Sequence, residues 1–196
     1  AGMGLVWLTR TYFRGAEGSG IPQVIAEMKR PENGPWRPLI SLRIAFAKVL
    51  VGVTAIGAGF SFGREGPTVQ IGACLMAAAG RYLPATLRIQ RHHLLVAGGA
   101  AGIAAAFNTP LAGIVFAIEE LSRSIESRMS GLVITAIVLA GVMAQYFLGN
   151  HTYFGNVTMF GETAELAQTI AACAVVTGLA GGLFSRLLVI SATGWK

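Results

Sequence analysis

Glu65 sits beside Arg64 between two glycines, in the run Gly63-Arg64-Glu65-Gly66-Pro67, within a chain that otherwise avoids charge. An ionisable side chain at membrane depth costs roughly 2.5–3.5 kcal/mol on insertion scales, which marks it as a functional candidate. Pro67 stands at a first-turn position, and the helix-like run Thr68–Tyr82 follows. The residues predict a half-helix that begins inside the membrane, its positive end beside a carboxylate. That arrangement suits the handling of anions.

A second break has the same form. Gly18-Ser19-Gly20-Ile21-Pro22 also sets Gly and a polar side chain before a Pro-started helix. Each helix start offers unpaired backbone N–H groups and about half a positive charge. Partial charges hold an anion less tightly than a full cation does, which suits an ion that must leave again. Ser19, Gly20 and Ile21 at one break and Arg64, Glu65 and Gly66 at the other are therefore the candidate anion-binding residues. Interrupted helices at membrane depth are tolerated only where protein buries them or they line a cavity, and such breaks point to a transport site.

The elements that must position these residues are helical. The 196 residues are 54% hydrophobic and 12% charged, with a mean hydropathy of +0.62, whereas a soluble domain carries about 25% charged residues. The runs Leu94–Ile118, Met129–Gly161 and Leu166–Ser185 each reach the ~20 residues that cross a bilayer. The fold class is all-α, polytopic, with broken and re-entrant helices. Along the chain we expect a span tail at Ala1–Phe13, a short helix at Pro22–Met28 and a span at Ser41–Ala58. After the break at Gly59–Gly66 come helices at Thr68–Tyr82, Arg91–Ala106 and Pro110–Leu121. Thr109 is a capping candidate between the last two. Ser130–Leu148 is a further span, Gly149–Thr163 a loop, and a long helix runs from Ala164 to about Ser191. Gly59 and Gly63, Gly98 and Gly102, and Gly178 and Gly182 recur at spacing four, which permits close helix packing in lipid.

The net charge of +6 does not indicate nucleic acid. Lys29, Arg30 and Arg37, then Arg81, Arg88 and Arg91, then Arg123 and Arg128 lie in short inter-span segments, the ordinary positive-inside pattern. Cys74 and Cys173 read as buried free thiols, with no metal and no cofactor implied. Ala1–Leu8 lacks a signal-peptide pattern and reads as the end of a helix whose beginning is missing, while Ile190–Lys196 stops abruptly.

Three motifs resemble the CLC chloride channel and transporter family: Gly18-Ser19-Gly20-Ile21-Pro22, then Gly63-Arg64-Glu65-Gly66-Pro67-Thr68-Val69-Gln70-Ile71-Gly72, then Phe107-Asn108-Thr109-Pro110-Leu111-Ala112-Gly113 through Ile118-Glu119-Glu120. Their order and distances fit the family. The resemblance implies half of an inverted-repeat fold, residues 1–196 being a partial transmembrane domain of a homodimer. It implies that Ser19 gives its hydroxyl to the central anion and that Glu65 is the gate, a carboxylate that mimics an anion and leaves when protonated. Glu120 takes the place of the carboxylate that relays protons in the exchangers. Ser19 argues for chloride over nitrate or fluoride. The family's second half supplies a Gly-x-Phe-x-Pro loop and a coordinating Tyr. Gly181-Gly182-Leu183-Phe184-Ser185-Arg186 lacks the Pro and lies within a helix, so it is not that loop.

The implied function is chloride/proton exchange; the alternative is a passive chloride channel of the same family. The partners are chloride, protons and membrane lipid, in the cell membrane of a prokaryote. An enzyme is not expected, since no metal cluster, nucleophile–base pair or phosphate loop is present. Several residues keep a plain reading beside the functional one. Arg64 holds the loop or binds the anion, Ser19 caps a helix or ligates, and Glu120 relays protons or lies at the interface. Glu119 supports the site or ends a helix, with Arg123 in pairing range. Lys48 supplies positive potential or snorkels. His92 and His93 read as interfacial, and Tyr146, Tyr153 and Phe154 as an aromatic belt.

Overall fold

The computed structural model describes residues 2–31, 39–61, 63–84, 89–122, 127–149 and 163–193. These form helices α1 (Gly2–Tyr12), α2 (Ile21–Met28), α3 (Leu42–Gly57), α4 (Glu65–Ala79), α5 (Arg91–Phe107), α6 (Pro110–Phe116), α7 (Ser127–Leu148) and α8 (Thr163–Thr193). A 3₁₀ turn, Gly80–Tyr82, closes α4, and a π-helical turn, Ala117–Ser122, extends α6. Among the described residues there is no strand. The chain divides into two compact units, Ala1–Tyr153 and Phe154–Lys196.

Local chemistry sets most boundaries. Ser41 caps α3 by accepting a hydrogen bond from the Ile44 N–H at 3.3 Å. Asn108 ends α5 in the left-handed region (φ 53°), which Asn tolerates better than most residues. Pro110 then starts α6, where its missing N–H costs nothing. Thr109 occupies the N-cap position, but its side chain makes no capping bond. α4 starts at Glu65, three residues before the Thr68 read from sequence. The Thr68 N–H already bonds to the Arg64 carbonyl at 3.0 Å, which places Glu65 and Gly66 inside the first turn.

The first unit is organised around α4 and α5. A Cβ on Gly98 would overlap the Gly72 carbonyl, and one on Gly102 would overlap the Thr68 carbonyl, so the two backbones touch. Gly98 and Gly102 thus pack as their spacing predicts. Gly59 and Gly63 do not: their Cβ positions are open. Around this crossing lie Val69, Ala73, Leu95, Val96, Ala97, Ala100 and, from α7, Ile137, all buried.

At 1.5 Å per residue, the 16, 15 and 17 residues of α3, α4 and α5 make only about 22–26 Å, short of the roughly 30 Å hydrocarbon layer. The windows Gly131–Leu148 in α7 and Leu166–Thr193 in α8 are long and apolar enough to cross it. Leu42, Phe46, Val53 and Ile56 of α3 and Val138, Leu139 and Val142 of α7 are exposed apolar side chains. Such a surface belongs in lipid or against other protein.

Three sequence expectations change. His93 is buried on α5 rather than interfacial, because its helix face packs inward with Leu94 and Ala97. Arg91 is also drawn inward, its side chain 10% exposed. Cys74 is buried, but Cys173, on α8, is exposed. Tyr146 is exposed at the end of α7, edge-on to Phe147 with ring centroids 5.2 Å apart. Arg37, Arg88, Arg123, Tyr153 and Phe154 lie outside the described residues.

Candidate anion site

The first break is a glycine-shaped loop. Gly18 (φ 69°) and Gly20 (φ 118°) both adopt positive φ, and Gly20 is the N-cap of α2. No side chain caps α2, and Pro22 contributes no N–H, so the Ile21 and Gln23 N–H groups are left without helical acceptors. Ser19 is exposed at the tip.

Lys48 fixes the direction of this loop. Its ammonium, on the buried face of α3, donates to the Gly18 carbonyl at 2.7 Å and to the Ser19 carbonyl at 3.3 Å. A trans peptide holds its C=O and the following N–H antiparallel, and the described residues contain no cis bond. Drawing the Gly18 and Ser19 carbonyls toward Lys48 therefore turns the Ser19 and Gly20 N–H groups away from it. Successive N–H groups set this way make an anion-binding concavity. With only 4% of the residue exposed, Lys48 does not snorkel.

The second break lies directly against the first. A Cβ on Gly66 would land on the Ser19 hydroxyl and carbonyl, and one on Gly20 would land on the Gly66 carbonyl. The starts of α2 and α4 thus meet backbone to backbone. Arg64 is the exposed N-cap of α4, and no side-chain hydrogen bond caps this helix either. Glu65 is exposed on the first turn, beside Gly66 and its contact with Ser19. The Thr68 hydroxyl is spent on its own helix, facing the Arg64 and Glu65 carbonyls at 3.0 and 2.8 Å. Gln70, fully buried one turn further on, donates to the Gly15 carbonyl and the Leu39 carbonyl, each at 3.0 Å. It ties α4 to the strand of loop that leads into Ser19.

Glu120 reaches the site from a third direction. The π-helical turn Ala117–Ser122 buries Ala117 and Leu121 against the core and leaves Glu119 and Glu120 exposed. Single π turns are frequent at functional sites, because the extra residue re-aims the side chains around it. Glu120 lines a groove of about 540 Å³ together with Ser19, Ile21, Pro22, Ile25, Ala26 and Lys29. A second cavity, about 490 Å³, is lined by Gly18 and Lys48 with Arg10, Glu17 and Ser61. The structure therefore brings Ser19, Gly20, Ile21 and Gly66 together, sets Glu65 next to them, and puts Ser19 and Glu120 on one groove. In the sequence Lys48 reads equally as a source of positive potential or as a snorkelling side chain, and Gln70 carries no signal. The legible signal for Lys48 was an uncompensated lysine in an apolar span.

Residues 1–196 match the family model described as voltage gated chloride channel. The chain belongs to this family. Members of the family are integral membrane proteins, and so is this chain. Among curated relatives, the H(+)/Cl(-) exchange transporter ClcA of Vibrio parahaemolyticus is 34% identical over 184 residues, covering 90% of this chain and 37% of the relative. ClcA of Salmonella arizonae is 31% identical over 189 residues, 93% of this chain and 38% of the relative. ClcA of Vibrio vulnificus is 41% identical over 133 residues, 66% of this chain and 26% of the relative. The chain thus spans less than two fifths of the length of the relatives that match most of it.

Proposed function

We propose that this chain is the gate-bearing half of the membrane domain of a chloride/proton exchange transporter. The observation that carries the reading is the backbone contact of Ser19 with Gly66 beside Glu65. Chloride and the Glu65 carboxylate compete for the same uncapped helix starts. A proton on Glu65 removes one competitor, so chloride entry and proton uptake are linked. Ser19 offers its hydroxyl, and the N–H groups oriented by Lys48 add partial charge without a fixed cation at the ion. Glu120 passes protons along the groove it shares with Ser19. The names of the ClcA relatives support this chemistry.

The remaining anion donors come from protein outside this chain, and the complete protein works as a homodimer in lipid, without a cofactor and without enzymatic activity. The test is flux in liposomes containing the complete protein. Glu65→Ala is expected to keep chloride movement and lose proton coupling, and intact coupling in that variant rejects the gate. The family description as a channel favours a second reading, passive chloride conduction. A reversal potential fixed at the chloride equilibrium value and indifferent to a pH gradient selects it.

A further inference from the structure

Glu27 is a fully buried carboxylate near the end of α2, on the face opposite the groove. Its Oε1 accepts a hydrogen bond from Arg91 Nη1, the first residue of α5, at 3.2 Å. Its Oε2 lies 3.6 Å from Arg30 Nη1 and accepts no hydrogen bond. The Arg91 and Arg30 side chains are 10% and 24% exposed, so Arg91 is the partner held in low dielectric. A carboxylate buried this deeply depends on that partner, because without Arg91 it keeps only the longer contact to the part-exposed Arg30, and without Glu27 the buried guanidinium loses its carboxylate.

What the pair joins gives it a role. α2 has eight residues, too few to hold a position by its own helical stability. Its start is fixed by Gly66 and Lys48, and its end, about 10 Å away at 1.5 Å per residue, by Glu27 and Arg91. One side of α2 carries Ile21, Pro22, Ile25 and Ala26 along the groove that begins at Ser19. α5 in turn carries the Glu120 turn: a Cβ on Gly99 would meet Leu121 Cδ1 at 2.9 Å, and Leu121 and Ala117 are buried against it. A shift of α2 along α5 is therefore a shift of Ser19 relative to Glu120.

We propose that the buried Glu27–Arg91 ion pair is a positioning device that sets the register of the Ser19 loop against Glu120, and so sets the coupling between anion and proton. The proposal rests on the exchange reading. Neither side chain touches the transported ion; both act through the helices they join.

The test uses the complete protein in liposomes, reading thermal stability, chloride KM and maximal rate, and the proton-to-chloride ratio. Glu27→Gln is expected to lower stability, raise chloride KM on the order of 10-fold and degrade the ratio while retaining most of the maximal chloride rate. The double variant Glu27→Met/Arg91→Met removes both deeply buried charges and leaves only Arg30, a quarter exposed and within reach of solvent, so most of the stability returns. Its altered KM and ratio are expected to persist. Parental KM and ratio in the double variant overturn the proposal and reduce the pair to a structural tie. Where Glu27→Gln fails to fold, the double variant carries the test alone. A parent that exchanges normally while both variants match it rejects only this inference. A parent that moves chloride without protons rejects the exchange reading, and this inference with it.

Discussion

Gly66 and Ser19 touch so closely that no side chain fits between them: a Cβ on Gly66 would overlap both the Ser19 hydroxyl and its carbonyl oxygen. Two helix starts distant in sequence are thereby pressed into one patch of unpaired N–H groups. Its geometry depends on the absence of a single methyl group.

Gly66→Ala is accordingly expected to push the Ser19 loop off α4. Overpacking of this kind costs typically 1–3 kcal/mol, and here the strain falls on the candidate ligand. Chloride titration calorimetry on the complete protein should show weakened binding, together with a lower melting temperature. Gly63→Ala is the control, since its Cβ position is open and its φ is not positive. Equal chloride affinity in the two variants argues against the contact.

Lys48→Met removes the donor to two carbonyl oxygens while keeping most of the buried stem. A hydrogen bond from a charged donor contributes about 1.5–3 kcal/mol, and both acceptors here are on an exposed loop. The loop is expected to lose its fixed direction, with weaker chloride binding and lower stability. Lys48→Arg should not restore it, because a planar fork does not replace a compact ammonium between two carbonyls. Parental chloride affinity in Lys48→Met returns this residue to a purely structural role.

Glu120→Gln keeps the shape of the groove that Glu120 shares with Ser19 but cannot release a proton. Proton flux in liposomes is expected to fall sharply while chloride movement continues. Unchanged proton flux makes Glu120 an interface carboxylate, and loss of both fluxes makes it part of the fold.

The breaks were legible because Gly and Pro act locally. Gly18 through Pro22 and Asn108 through Pro110 punctuate the chain wherever they are placed. The start of α4 was less legible. Gly59–Gly66 reads as a break with Pro67 in the first turn after it, yet the Thr68 N–H bond to the Arg64 carbonyl draws Glu65 and Gly66 into that turn as well. Spacing-four glycines illustrate the same limit. Gly98 and Gly102 found a partner backbone in α4, whereas Gly59 and Gly63 carry the same spacing and meet nothing.

An all-α chain for lipid, the places where its helices break, and the carboxylates that stand near those breaks can all be read from the order of the residues. Hydrophobic runs and the backbone preferences of Gly, Pro and Asn settle these matters within a few residues. That Ser19 meets Gly66, that Lys48 turns the Ser19 loop, and that Glu27 binds Arg91 emerge only from the packed helices. Those contacts depend on how α2, α3, α4 and α5 cross, and a crossing is fixed by packing between segments that no local preference relates.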